Sequence, residues 1–175
     1  MTETATVDAY GVRTEPATVR LQRLLPGPIE RVWAYLTESD LRRQWLAAGP
    51  MELTPGGAVE LTWRNGELSP GDDRPDSMPA EHSMTSRMIR AEPPRVLAFT
   101  WNSGEVRFDL EPQGDQVLLT VTHQRLPDHG AMLSVSAGWH AHLDVLADKL
   151  AGRTPGAFWS KWTRLREDYA ARLAE

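Results

Sequence analysis

Between residues 17 and 124 apolar side chains mostly recur at every second position, the period of half-buried strands. Val19, Leu21 and Arg23 alternate with Arg20, Gln22 and Leu24, which predicts a strand over Ala17–Leu25, stopped by Pro26-Gly27-Pro28. Val59, Leu61 and Trp63 alternate with Glu60 and Thr62 in a second strand, after the Pro55-Gly56-Gly57 turn. Further runs over Met84–Ala91, Val96–Trp101 and Glu105–Glu111 are separated by Glu92-Pro93-Pro94 and Asn102-Ser103-Gly104, and a last run, Gln116–Gln124, follows Gly114-Asp115. Leu97, Phe99 and Trp101 share one face, as do Val106, Phe108 and Leu110, and Val117, Leu119, Val121 and His123. Consecutive hairpins imply an antiparallel meander.

Helical spacing takes over twice. Pro28 followed by Ile29, Val32, Trp33 and Leu36 predicts a short helix, and Ser39 or Asp40 caps a second one carrying Leu41, Trp45 and Leu46 that stops near Gly49-Pro50. Trp139, Leu143, Leu146 and Leu150 then make one stripe on a long helix over Ala131–Leu150, ended by Gly152. Phe158, Trp162, Leu165, Tyr169 and Leu173 repeat the device from about Ala157 to Leu173. Strand, two short helices, a run of strands, then a long helix is an α+β order in which one helix covers one sheet face.

Two stretches lack a period. Residues 1–15 read as a flexible leader. Arg64–His82, which holds Gly66, Pro70-Gly71, Pro75 and Pro79, exceeds the roughly 12–15 residues beyond which a structureless loop is usually a functional lid or a disordered segment, and reads as a mobile gate beside a cavity mouth. The expected organisation is a leader at 1–15, a domain at 16–152 and a helical extension at 153–175.

Composition narrows the function classes. A chain of 175 residues with 41% apolar and 25% charged positions suits one globular domain. Its net charge of −5, with scattered rather than clustered Lys and Arg, leaves neither a nucleic-acid footprint nor an anionic-membrane patch. Without cysteine there is no disulfide framework, thiolate zinc site or thiol nucleophile. Neither a signal peptide nor an apolar run of about 18 residues is found, so a soluble protein of the reduced cytoplasm is expected. Seven tryptophans are unusual at this length and mark cores, pockets or interfaces.

The ordered set of these segments resembles a known family. It comprises Pro26-Gly27-Pro28-Ile29-Glu30-Arg31-Val32-Trp33, the Trp45 segment, Gly56-Gly57 before a strand, and Glu92-Pro93-Pro94-Arg95-Val96-Leu97-Ala98-Phe99-Thr100-Trp101. Val121-Thr122-His123-Gln124-Arg125-Leu126-Pro127 and Gly138-Trp139 at a leucine-rich helix complete it. From about Ala17 to Gly152 the chain is similar to bacterial relatives of the C-terminal domain of the heat-shock-protein-90 ATPase activator, in the START-like (SRPBCC) superfamily. The resemblance implies the helix-grip fold: a curved antiparallel sheet around a long C-terminal helix, with a cavity between them that takes lipids, polyketides or other apolar ligands and occasionally cyclises them. The long Arg64–His82 loop and the segment after Gly152 depart from the family pattern.

In such a fold Trp63, Trp101, Phe108, Leu119, His123, Trp139 and Leu143 converge and are candidates to line the cavity, with Trp33, Leu36 and Trp45 at its entrance; a dry core is the competing expectation for each. His123 is the candidate acid-base group. His140 and Asp144 share a helix face, expected as a solvated pair rather than an oriented base. His140 and His142 point apart, and no metal or cofactor site is expected. Ser134 and Ser136 lack a nucleophile-elbow pattern. The Phe158, Trp162, Tyr169 stripe serves either its own domain or a homodimer. The leading expectation is non-catalytic binding of a small apolar or aromatic ligand. The alternatives are an aromatase- or cyclase-like enzyme acting on polyketide-type substrates and a chaperone or partner-protein interaction module.

Overall fold

Strands β1 (Val12–Glu15), β2 (Thr18–Pro26), β3 (Ala58–Trp63), β4 (His82–Glu92), β5 (Val96–Trp101), β6 (Gly104–Gln113) and β7 (Gln116–Gln124) build one antiparallel sheet. Their order is β1-β2-β7-β6-β5-β4-β3 in a computed structural model that describes residues 10–68 and 81–173. Helices α1 (Ile29–Thr37) and α2 (Ser39–Arg42) lie between β2 and β3, while α3 (His129–Leu150) and α4 (Phe158–Arg172) follow the sheet. The α+β helix-grip architecture expected from the sequence is therefore the observed one, with a curved sheet against α3.

The alternation of the strands sets the register. Val19, Leu21 and Leu25 face His123, Val121 and Val117 across β2 and β7, and Phe108 of β6 lies between Val121 and Leu97 of its two neighbours. All of these are buried, so a slip of one residue would carry a whole apolar row into water. Arg23 interrupts the apolar face of β2 and is also buried; its guanidinium meets Asp144 of α3 at 3.1 Å, a charged tie between sheet and helix.

Helix α3 begins where the Asp128 side chain accepts the Ala131 N–H at 2.7 Å, and Gly152, at φ 73°, follows its end. Helix α4 packs on α3 through Phe158, Trp159, Leu165 and Tyr169, with Trp162 half-buried beside them. The aromatic stripe of the extension thus packs on its own chain, the first of the two uses its spacing allowed.

Two expectations need correction. The leader was expected to reach residue 15, yet Val12–Glu15 pairs with β2, and the Gly11 N–H donates to the Tyr169 hydroxyl at 2.7 Å. The strand is exposed along its length and has no apolar alternation, so its pairing left no periodic signal. The second helix was expected to run towards Gly49 but ends at Arg42. Arg42 turns inward and donates to the carbonyls of Leu36, Thr37, Ala47 and Gly49, fixing a tight turn instead of further helix. Gly49 sits at φ 130° against the Glu60 carbonyl, where a Cβ would collide.

Candidate ligand-binding site

A cavity of about 430 Å³ opens between the first half of α3 and the β3–β4–β5 part of the sheet. Its sheet wall is made by Trp63 and His82, which face each other at the ends of β3 and β4, and by Trp101 at the end of β5. The helix wall is made by Ser134, Val135, Gly138, Trp139 and His142, and Leu46 closes the side nearest α2.

Three tryptophans form a continuous aromatic surface. Trp101 stands 5.4 Å from Trp63 at 65° and 5.4 Å from Trp139 at 56°, the tilted geometries that aromatic quadrupoles favour. On the helix wall Ser134, Gly138 and His142 are spaced by four and lie one above the other. Gly138 is the gap in that row: beyond its own helix, the nearest described atom to a Cβ there would be Trp162 Nε1 on α4, at 3.9 Å. The helix backbone is therefore open to the cavity between two polar side chains.

Two histidines at the cavity, His123 and His142, are held in definite tautomers. Trp139 Nε1–H donates to His123 Nδ1 at 3.0 Å, so the proton of His123 resides on Nε2. His142 Nδ1 lies 2.8 Å from the Trp45 carbonyl, which only accepts, so Nδ1 carries the proton there. Burial lowers both from the usual 6.5 to about 4 and keeps them neutral at pH 7. Among the described residues no Asp, Glu, Lys or Arg lines the cavity. Among the described residues no group of three or more His, Asp or Glu is placed to hold a metal.

A second hollow, of about 460 Å³, lies between the start of α1 and the β6–β7 turn, but its walls are residues such as Gly27, Pro28, Gly114 and Asp115, and among the described residues no aromatic ring lines it. Size alone does not select it. An aromatic enclosure with few, directed polar groups is the arrangement that binds small organic molecules.

Residues 26–151 match the family described as activator of Hsp90 ATPase homolog 1-like protein. The chain belongs to this family. A Bordetella parapertussis protein solved in solution by NMR is similar over 100% of this chain and 97% of its own, at 42% identity and a TM-score of 0.79. CalU16 from Micromonospora echinospora shares the fold at 22% identity and a TM-score of 0.68, covering 93% of this chain and 94% of its own. So does a conserved Enterococcus faecalis protein of unknown function, at 22% identity and a TM-score of 0.67 over 93% of this chain and 90% of its own. No curated protein matches the chain.

Within this member of the family, Trp63, Trp101 and Trp139, of the seven residues named from the sequence, border the hollow. Phe108, Leu119 and Leu143 do not; they are buried at 0–1% exposure in the core. His123 lies behind the wall, edge-on to Trp101 at 5.3 Å and bonded to Trp139. Trp33, Leu36 and Trp45 form no entrance: all three are buried, and Trp45 spends its N–H on the Tyr35 carbonyl at 2.8 Å. Their neighbour Leu46 reaches the cavity instead.

His140 and Asp144 are not a solvated pair. His140 is buried, its Nδ1 2.9 Å from the Tyr169 hydroxyl and its Nε2 3.5 Å from Asp144, which also meets Lys161 at 2.7 Å. The helix α4 that no spacing within α3 reveals is what covers them.

Of the expected gate, residues 69–80 lie outside the described residues. Its two ends emerge from Trp63 and His82 and are joined by an Arg64–Glu81 ion pair at 2.6 Å, with Leu68 buried between. The residues missed by sequence reasoning are Leu46, His82, Ser134, Val135, Gly138 and His142. One signal was present for some of them: Val135, Trp139 and His142 continue the α3 stripe at spacings of four and three.

Proposed function

We propose that this family member binds a small, flat, largely aromatic molecule in the α3–sheet cavity and performs no chemistry on it. The observation that carries this reading is the half-open hollow of about 430 Å³ bordered by Trp63, Trp101 and Trp139. Ring contacts and the loss of hydration around a planar ligand would supply the affinity. Catalysis finds less support. His123, the candidate proton shuttle, has one ring nitrogen occupied by Trp139 and is kept neutral at pH 7 by burial, and among the described residues no carboxylate lines the cavity to act in its place.

Naphthalene tests the reading, because it offers ring surface and nothing else. Titration should quench the tryptophan fluorescence saturably with micromolar affinity, and Gly138→Leu, which fills the groove beside the helix backbone, should abolish that quenching while the protein stays folded by circular dichroism. Saturable binding that Gly138→Leu leaves untouched would place the ligand elsewhere and end the proposal.

A further inference from the structure

The polar side of the cavity is as definite as its aromatic side. His142 is the titratable group that combines a place in the cavity wall with a fixed tautomer. Its Nδ1–H is spent on the Trp45 carbonyl at 2.8 Å, and that carbonyl cannot be satisfied by the other tautomer. Nε2 therefore presents a bare lone pair, and among the described residues nothing donates to it. In this half-open hollow that acceptor is left to water or to a donor on a ligand.

The surrounding residues give that lone pair a direction in which to be used. Two turns up the same face of α3, Ser134 is the other polar side chain of the helix wall, and its Oγ already accepts from Arg166 Nε at 3.0 Å. Between them Gly138 leaves the backbone uncovered, so a planar molecule laid along the helix meets the ring edge of His142 at one end. Trp139 and Trp101 flank it.

We propose that His142 is the specificity residue of the cavity, its Nε2 accepting a hydrogen bond from an O–H or N–H donor on the edge of an aromatic ligand. This rests on the cavity being a ligand site, and it predicts which ligands are selected. Aromatic compounds bearing a ring hydroxyl or ring N–H are favoured over those of the same shape with a methyl in that place. A site built to hydrogen-bond a donor discriminates against the analogue lacking it because its own acceptor is then left unpaired.

The test compares 2-naphthol with 2-methylnaphthalene, whose shapes are nearly the same, on wild-type protein and on His142→Phe. The ratio of their dissociation constants should change by about tenfold between the two proteins, as expected for one buried hydrogen bond. The change should arise from 2-naphthol alone, with 2-methylnaphthalene binding both proteins equally, which also reports that the variant is folded. An unchanged ratio overturns the proposal.

A second measurement needs no variant. Ring ¹⁵N spectra of the wild-type protein should show His142 protonated on Nδ1 and bare on Nε2, with the Nε2 signal shifting on addition of 2-naphthol but not of 2-methylnaphthalene. A protonated Nε2, or the same response to both compounds, overturns the proposal. If neither compound nor naphthalene binds, it is the proposed function that fails; if all three bind without regard to the hydroxyl, the cavity reading stands and the role of His142 falls.

Discussion

Arg42 sits at 1% exposure, and its charge is met by carbonyl dipoles of the turn it organises. Burial lowers its pKa from 12.5 to about 10, still far above neutrality, so the cation persists and the carbonyls keep their donor. Arg42→Ala removes that donor from several buried acceptors at once and should cost about 3–5 kcal/mol in urea unfolding at pH 7. The loss should spread to the cavity, because the same turn carries Leu46 and the Trp45 carbonyl that fixes His142.

Three histidines give the molecule a directed response to acid. His123, His140 and His142 are each lowered from 6.5 to about 4, chiefly by burial; for His140 the Asp144 charge opposes the shift without reversing it. The unfolded chain therefore takes up protons at a higher pH than the folded one, and stability is full above about pH 6.5 and falls as pH drops towards 4. Each group contributes on the order of 3 kcal/mol across that window, against a typical total of about 5–15 kcal/mol. Thermal melts between pH 7 and pH 5 should show a steep decline that His142→Phe makes shallower. A melting temperature independent of pH in this range would contradict the buried neutral state of all three.

Among the elements, α3 and α4 divide two tasks that look alike in sequence. Gly138 lies mid-helix, and beyond its own helix the nearest described atom to where its Cβ would be is Trp162 Nε1 at 3.9 Å, so no tight contact with another element offsets its low helix propensity. Gly138→Ala should raise stability by about 1 kcal/mol, read from the denaturation midpoint, while reducing naphthalene affinity by narrowing the groove. If the variant were instead less stable, the glycine would be serving a close helix contact. On α4, Tyr169 takes the Gly11 N–H and faces His140, joining the two ends of the chain to α3. Tyr169→Phe leaves two buried partners unmatched and should lower stability by about 1–3 kcal/mol. Hydrogen exchange should locate the loss at the N-terminal segment and α4 rather than in the meander.

For the molecule as a whole, alternation and helical spacing were enough to read the meander, the long helix and its apolar stripe. These depend on contacts between near neighbours in sequence, and each residue reports its own burial. Val19, Phe108 and Leu146 could be assigned to the interior for that reason. The three tryptophans of the cavity were legible as large rings on inward faces. Whether an inward ring fills a core or borders a void was not, because Trp45 and Trp139 obey the same periodicity and only the first is packed on all sides. The pairing of β1 was hidden because an exposed edge strand needs no apolar pattern. The partners of His140 lie on α4, 29 positions away in the case of Tyr169.

The sequence by itself determined the strands, the helices and the faces they bury, through periods of two and of three to four that local geometry enforces. Tertiary structure alone decided that Gly138 opens a groove, that the Trp45 carbonyl sets the tautomer of His142, and that His123 stands behind the wall instead of in it. Those are matters of distance between groups far apart in the chain. A hydrogen bond or a void belongs to the pair of surfaces that meet, and neither surface carries it alone.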